Sequence, residues 1–123
     1  IANLYFAYEL QRRLEAAGDS TISVAAHPGI ADTELTRYIP RALMLIAPLF
    51  RPLFNTPAQG AWPTLCAATM PGVRGGEYYG PSKRNETAGP AVRVESNRRS
   101  HDKAVAKRLW DLSIEMTGVD PGL

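Results

Sequence analysis

The sequence has few of the cysteine and histidine residues that bind zinc or form disulfides: it contains one cysteine, Cys66, and two histidines among 123 residues. A single cysteine excludes a disulfide within the chain and fits a reducing compartment, so the predicted location is cytoplasmic. Because so few histidine and cysteine ligands are present, no metal site is predicted.

Long apolar runs and a strong charge of one sign are also missing. No window approaches the ~20 uninterrupted apolar residues of a membrane-spanning helix, and the N-terminus lacks the pattern of a signal peptide. The formal net charge is only +2, with 21% charged and 45% hydrophobic residues. This composition predicts a globular domain with its own core, no membrane span and no nucleic-acid partner.

The first seventeen residues read as a helix that ends at Gly18. Phe6, Leu10 and Leu14 form an apolar ridge with helical spacing, and the first two turns are apolar almost all round. Such a helix is expected to be buried on more than one face, and it would suit a homodimer interface. No capping residue precedes it, so the chain is expected to be a fragment of a longer protein.

A short apolar run, residues 21–26, ends in His27-Pro28-Gly29. It predicts a buried strand, and in open α/β sheets ligands bind where the chain leaves the carboxyl end of a strand. Proline has no N–H and glycine has no Cβ, so a flat ring can approach the backbone closely. Thr33 follows at a distance suited to hydrogen bonding an amide or a phosphate. This stretch therefore predicts the wall of a nucleotide-cofactor site.

The middle of the chain predicts a lid and a helix. Residues 39–54 are strongly apolar but are interrupted by three prolines, which predicts short helical pieces. Thr56-Pro57-Ala58-Gln59 has the pattern of a capping box, and the helix that it begins is expected to reach about Met70 with a bend at Pro63.

The last third predicts a strand over 75–80, a polar loop over 81–99 and a final helix capped by Ser100. Val105, Leu109, Leu112 and Met116 form one stripe on this helix and are expected to pack in the core. The order strand, helix, strand predicts a right-handed parallel crossover in an α/β sheet.

Several polar features allow two interpretations. His27 is either a general base or, as we favour, a histidine that shapes its turn. Asp32 and Glu34 are either an acid–base pair or, as we favour, solvated acids or caps. The apolar run 39–54 suits a lid better than a membrane-surface helix, because its prolines interrupt any amphipathic helix. Tyr79 and Lys83 match Tyr-x-x-x-Lys as text, but Gly80-Pro81 between them prevents the helix that this catalytic pair requires.

Taken together, these segments resemble the short-chain dehydrogenase/reductases, and within them the retinol-dehydrogenase-like branch. The matching residues are Ala2-Asn3-Leu4, Glu9-Leu10, Arg13-Leu14, Ala26-His27-Pro28-Gly29, Thr33, Leu35, Gln59-Gly60-Ala61, Gly75 to Gly80 and Arg108-Leu109-Trp110. They extend over essentially the whole chain in the family's order and spacing.

The resemblance implies an α/β fold: the C-terminal part of a Rossmann-like doubly wound parallel sheet, with its last two strands, flanking helices and a substrate lid. Residues 1–123 would form part of one oxidoreductase domain that uses NAD or NADP. Pro28 and Gly29 would then flank the nicotinamide, the backbone of Ile30 would hold its carboxamide, and Thr33 would contact the cofactor. The substrate lid, about 35–54, would include Leu35, Tyr38, Leu43, Leu45, Leu49 and Phe50.

In the family, the glycine-rich phosphate loop, the catalytic Ser and the Tyr-x-x-x-Lys all lie upstream of the matched region, so no catalytic residue is expected in this segment. The complete subunit would transfer a hydride between the cofactor and an apolar alcohol or carbonyl substrate. The alternative is a non-catalytic fragment or degenerate relative that serves only assembly.

Overall fold

The structure, a computed structural model, describes residues 1–30 and 55–123. Its first element is helix α1, Ala2–Ala17, which ends as predicted: Gly18 adopts a φ of 69° and donates its N–H to the carbonyls of Leu14 and Glu15. No side chain caps the start of α1, also as predicted. Strand β1 spans only Ala25–Ala26, so the extended run from residue 21 is mostly outside the sheet.

Two short helices replace the single bent helix predicted after residue 56. Helix α2, Pro57–Gly60, begins with the predicted capping box, in which the Thr56 hydroxyl accepts from Gln59 N and the Gln59 side chain accepts from Thr56 N. Helix α3, Trp62–Thr69, follows after a break at Ala61. The break lies two residues before Pro63, because a proline fits the first turn of a new helix but not the interior of an old one.

Strand β2, Tyr78–Lys83, lies between β1 and a third strand, β3, Ala88–Val94. Ala25 N donates to Glu77 O and His27 N to Tyr79 O, an advancing pattern that makes β1 and β2 parallel, as predicted. Because β3 returns from β2 through a four-residue turn, the sheet is mixed.

The polar loop predicted over 81–99 is therefore wrong. β3 contains Pro90, but it is the last strand in the sheet order, and an edge strand tolerates a proline whose missing N–H would face away from the sheet. The turn places Arg84, Asn85 and Glu86 at φ values of 54°, 51° and 61°. Three successive left-handed residues without glycine were not foreseen from the sequence.

A 3-10 helix, Arg98–His101, precedes the last helix, α4, Lys103–Thr117. The cap of α4 is Asp102, whose Oδ1 accepts from Ala104 N and Val105 N, and not Ser100 as predicted. Ser100 is buried inside the 3-10 helix, where Asn97 Oδ1 accepts from its N–H. Ser100 and Asp102 are both good capping residues, so local sequence alone did not decide between them.

The described residues form two compact units. The first contains 1–25, 72–78 and 95–123, and its core is the packing of α1 against α4. Here Trp110 stacks on Phe6 with ring centroids 5.1 Å apart, while the Arg13 guanidinium lies 4.6 Å from the centre of the indole ring. Gln11 Oε1 accepts from Ser23 N and ties α1 to the segment before β1.

The predicted core stripe of α4 is wrong as well. Ala106 and Trp110 are the buried residues of this helix, whereas Leu112 is 46% and Met116 78% exposed. The large indole of Trp110 fixes which face meets α1, and the stripe lies about a third of a turn away. Leu109 is half-buried and Val105 is exposed.

The second unit contains residues 26–71 and 79–94, among which α2 and α3 pack on β3. It holds the carboxyl end of β1, where the cofactor wall is predicted. Among the described residues, no helix has the length and apolarity needed to cross a membrane.

Candidate functional site

The Pro28-Gly29-Ile30 turn follows β1 after one residue, His27, and lies against the β2–β3 turn. Gly29 has a φ of 69°, and a Cβ built on it would lie 2.5 Å from Thr87 O and 2.7 Å from Pro81 Cγ. Glycine is therefore required here by both backbone conformation and space. The atoms that leave no room for a Cβ at Gly29 belong to Thr87 and Pro81 of the same chain.

Both backbone groups of Ile30 are engaged. Its N–H donates to Thr87 O at 2.8 Å, and its carbonyl accepts from Asn55 N at 3.0 Å. The expectation that the Ile30 backbone holds a carboxamide stays a prediction. In this arrangement the Ile30 carbonyl oxygen has one further lone pair that a ligand can use. The Ile30 N–H is available to a ligand only when its hydrogen bond to Thr87 O is broken.

Asn55 is the residue that sequence reasoning missed. It is 2% exposed, its Nδ2 donates to Pro28 O at 3.2 Å, and its Oδ1 accepts from Gly89 N at 3.0 Å. A single buried amide thus connects the turn to β3. The only signal in the sequence was a polar residue between an apolar run and a capping box, which is not specific enough to identify such a role.

His27 shapes the turn, which confirms the interpretation favoured from the sequence. Its Nδ1 accepts from Gly29 N at 3.3 Å, so Nε2 carries the proton and faces Glu86 Oε2 at 3.1 Å. The imidazole also contacts Gly80, where a Cβ would overlap the ring. With both ring nitrogens facing other groups of the protein, His27 is not arranged as a general base.

Two residues of the turn leave apolar surface accessible. Pro28 is exposed and Ile30 is 50% exposed, while Gly29 between them has no side chain. A rigid apolar surface at the carboxyl end of a strand fits one face of a planar ring such as nicotinamide. The residues present therefore fit the cofactor that the resemblance implies.

The remaining predicted site residues lie outside the described residues. They are Thr33 of the cofactor site and Leu35, Tyr38, Leu43, Leu45, Leu49 and Phe50 of the lid, together with Asp32 and Glu34.

The Tyr79/Lys83 pair is a text match only. Both residues lie in β2, Tyr79 buried and Lys83 exposed, so the pair is not one helical turn apart. The structure corrects one detail, since β2 continues through Pro81 instead of ending there in a turn. Over residues 1–30 and 55–123, no group of three His, Cys, Asp or Glu side chains is placed to hold a metal ion.

The first unit contains a separate apolar cavity of about 390 Å³. It is lined by Phe6, Trp110, Ser113, Ile114, Thr117, Val119 and Pro121. Trp110 is 3% exposed, and within the described part of the chain its Nε1 has no hydrogen-bond partner. No sequence motif pointed to this cavity.

Comparisons with known proteins agree on one family. The chain is 38% identical over 125 residues to human retinol dehydrogenase 14, 34% identical over 125 residues to mouse polyprenol dehydrogenase, and 36% identical over 129 residues to human dehydrogenase/reductase SDR family member 13. These matches cover 97%, 99% and 99% of the chain, but only 34%, 35% and 30% of the relatives. The chain thus spans about a third of the length of these relatives.

A crystal structure of an uncharacterized protein from Mycobacterium paratuberculosis has a similar fold. The TM-score is 0.71 at 35% sequence identity, covering 99% of this chain and 38% of that one. No family model matches the chain. The sequence matches and the shared fold lead to one conclusion: the chain belongs to the short-chain dehydrogenase/reductase family and corresponds to a C-terminal portion of its retinol-dehydrogenase-like members.

Proposed function

We propose that the complete subunit is an NAD(P)-dependent oxidoreductase that transfers a hydride between the nicotinamide and an alcohol or carbonyl carbon. The observation that carries this proposal is the fixed Pro28-Gly29-Ile30 turn at the carboxyl end of β1, with its accessible apolar face. The names of two relatives, retinol dehydrogenase and polyprenol dehydrogenase, support alcohol oxidation or its reverse.

Within this proposal the chain binds the cofactor and orients its nicotinamide ring. The cofactor would supply the hydride chemistry, and the apolar surfaces of Pro28 and Ile30 would hold its nicotinamide ring. Thr33 hydrogen-bonds the cofactor, as the family resemblance implies. The proton of the reacting hydroxyl would be handled by upstream residues, since a tyrosine next to a lysine has a lowered pKa.

An apolar substrate is part of the proposal. Retinol and polyprenol, the substrates named in two relatives, are alcohols with apolar chains. The predicted lid is rich in apolar residues, including Leu43, Leu45, Leu49 and Phe50. These side chains would remove an apolar substrate from water.

The direct test is to titrate the complete subunit with NADH and NADPH in a calorimeter and then assay turnover of a long-chain primary alcohol. We expect saturable binding of at least one cofactor and formation of aldehyde. Leu45→Asp should raise the KM for the long-chain alcohol more than the KM for ethanol. Equal effects on both alcohols would contradict the apolar lid, and failure of both cofactors to bind would overturn the function.

The exposed stripe of α4 favours a second candidate, a role in assembly without catalysis. Leu112 and Met116 are large apolar side chains with exposed surface, and such surfaces serve protein association. This candidate predicts that the subunit self-associates and binds no NAD(P)H. The same titration, accompanied by sedimentation equilibrium, separates the two candidates.

A further inference from the structure

We propose that Asn55 is a positioning residue that holds the Pro28-Gly29-Ile30 turn in place as the wall behind the nicotinamide ring. This inference rests on the proposed function. It concerns a residue that does not belong to the turn and that precedes α2 by two positions.

Asn55 makes two hydrogen bonds to the turn and one to β3. Its backbone N–H donates to Ile30 O, its Nδ2 donates to Pro28 O, and its Oδ1 accepts from Gly89 N in β3. The side chain must donate and accept at the same time, which a primary amide does and a carboxylate does not. Because Asn55 is 2% exposed, water does not readily replace a lost partner.

The opposite side of the turn is held by the β2–β3 turn. Ile30 N donates to Thr87 O, and Gly29 fits closely against Thr87 O and Pro81. Asn55 and Thr87 together engage the Pro28 carbonyl and both backbone groups of Ile30, so the turn offers a ligand mainly its apolar face. A wall that is fixed before binding costs less free energy when the ring packs on it and keeps the ring oriented for transfer.

The side chain of Asn55 can be changed without removing the start of α2. That helix has its own capping box, formed by Thr56 and Gln59. The substitution Asn55→Asp preserves size and the acceptor for Gly89 N, but it places a carboxylate oxygen against Pro28 O. We therefore expect the variant to fold with a displaced turn.

The test compares two ligands of the complete subunit: the preferred cofactor, NADH or NADPH, and the matching ADP-ribose or its 2′-phosphate, which lack nicotinamide. In the wild type the nicotinamide should strengthen binding. Loss of one buried hydrogen bond corresponds to about tenfold in an equilibrium constant, so Asn55→Asp should weaken cofactor binding by about tenfold. Binding of the ADP-ribose ligand should stay within about twofold, because the adenosine half does not contact this turn in the proposed arrangement.

A second readout requires no cofactor. Hydrogen exchange of the Ile30 amide should accelerate in Asn55→Asp, because the displaced turn weakens its hydrogen bond to Thr87 O, while exchange in α1 stays unchanged. Asn3→Asp makes the same chemical change at an exposed position of α1 and should alter neither exchange nor binding.

The outcomes separate this inference from the function on which it rests. Equal weakening of both ligands, or unchanged exchange at Ile30, would show that Asn55 has no specific effect on the wall and would overturn the inference alone. A wild-type subunit that binds neither NADH nor NADPH would overturn the proposed function and the role of Asn55 with it.

Discussion

Glu9 illustrates how a buried charge is stabilised on α1. Its carboxylate accepts from Arg12 Nη2 at 2.6 Å and from Arg13 Nε at 2.9 Å. Burial acts to raise the pKa of Glu9, but hydrogen bonds and charge from the two arginines outweigh it, so the pKa lies below its usual range. A carboxyl whose pKa is lower in the folded state stabilises the fold above its unfolded-state pKa and loses that contribution as the pH falls through the folded value.

Glu9→Gln should therefore lower the free energy of unfolding by about 1–3 kcal/mol at pH 7 and by less at pH 3. Urea denaturation at both pH values measures the difference. Glu115→Gln, an exposed residue of α4, is the control and should change little at either pH. A Glu9→Gln effect that stays constant from pH 7 to pH 3 would argue against this account.

A comparison of Gly29 with Gly72 separates two costs of adding a Cβ, namely backbone strain and lack of space. Both have positive φ, 69° and 84°, but a Cβ at Gly72 would meet nothing within 4 Å, whereas at Gly29 it would meet Thr87 O. Gly72→Ala should cost about 1 kcal/mol from strain alone. Gly29→Ala should cost about 2–4 kcal/mol, because the β2–β3 turn must also shift. Chemical denaturation of the two variants checks this order, and equal losses would refute it.

The Pro28-Gly29 turn could be predicted from the sequence, whereas the role of Asn55 could not. Proline restricts the backbone conformation and glycine permits conformations that other residues avoid. Both effects are local, so the two residues indicate a turn without knowledge of the fold. The hydrogen bonds of Asn55 reach residues 25 to 34 positions away in the chain, and such pairings depend on the complete packing.

At the scale of elements, helix ends were more predictable than packing faces. The capping box at Thr56 and the αL residue at Gly18 were confirmed because both involve residues close in sequence. The buried face of α4 was predicted wrongly because it depends on α1, which is far away in the chain, whereas β3 was missed although its partner β2 is only four residues away. A stripe of Leu, Val and Met shows that a helix is amphipathic, but a single Trp on another face decided the contact with α1.

Two substitutions on α4 test this assignment of its faces. Trp110→Ala should lower the free energy of unfolding by about 3–5 kcal/mol, since it removes a buried ring that packs on Phe6 and Arg13. Leu112→Ala should cost less than about 1 kcal/mol in this chain, because its side chain is nearly half exposed. Thermal or urea unfolding of both variants gives the comparison. A larger loss for Leu112→Ala would mean that the stripe is the packed face.

At the scale of the whole molecule, the chain matches about a third of the length of its relatives. Family and α/β fold were predicted correctly from short motifs in the right order. Among residues 1–30 and 55–123 the sheet has three strands instead of the two predicted, because a hairpin adds β3. The relatives are about three times as long as this chain, so their catalytic machinery need not lie within these 123 residues.

The intact mass of the purified polypeptide should determine whether the sample oxidises alcohols. A polypeptide of 13.4 kDa, the mass of this chain, should show no alcohol oxidation with either cofactor, because the tyrosine–lysine pair proposed to move the proton would be missing. A polypeptide of about three times that mass should be active. Mass spectrometry followed by a turnover assay on the same sample decides between them, and turnover by the 13.4 kDa species would show that the catalytic residues were assigned to the wrong part of the protein.

The hydrogen bond from Asn55 N to Ile30 O has an evolutionary consequence. It joins the two residues that flank positions 31–54, so both ends of that stretch are held at one point. The entropic cost of closing a loop rises only slowly with its length. Insertions and deletions between the two flanks should therefore leave the Pro28-Gly29-Ile30 turn in place, and under the proposed function they would alter substrate preference without altering the cofactor wall.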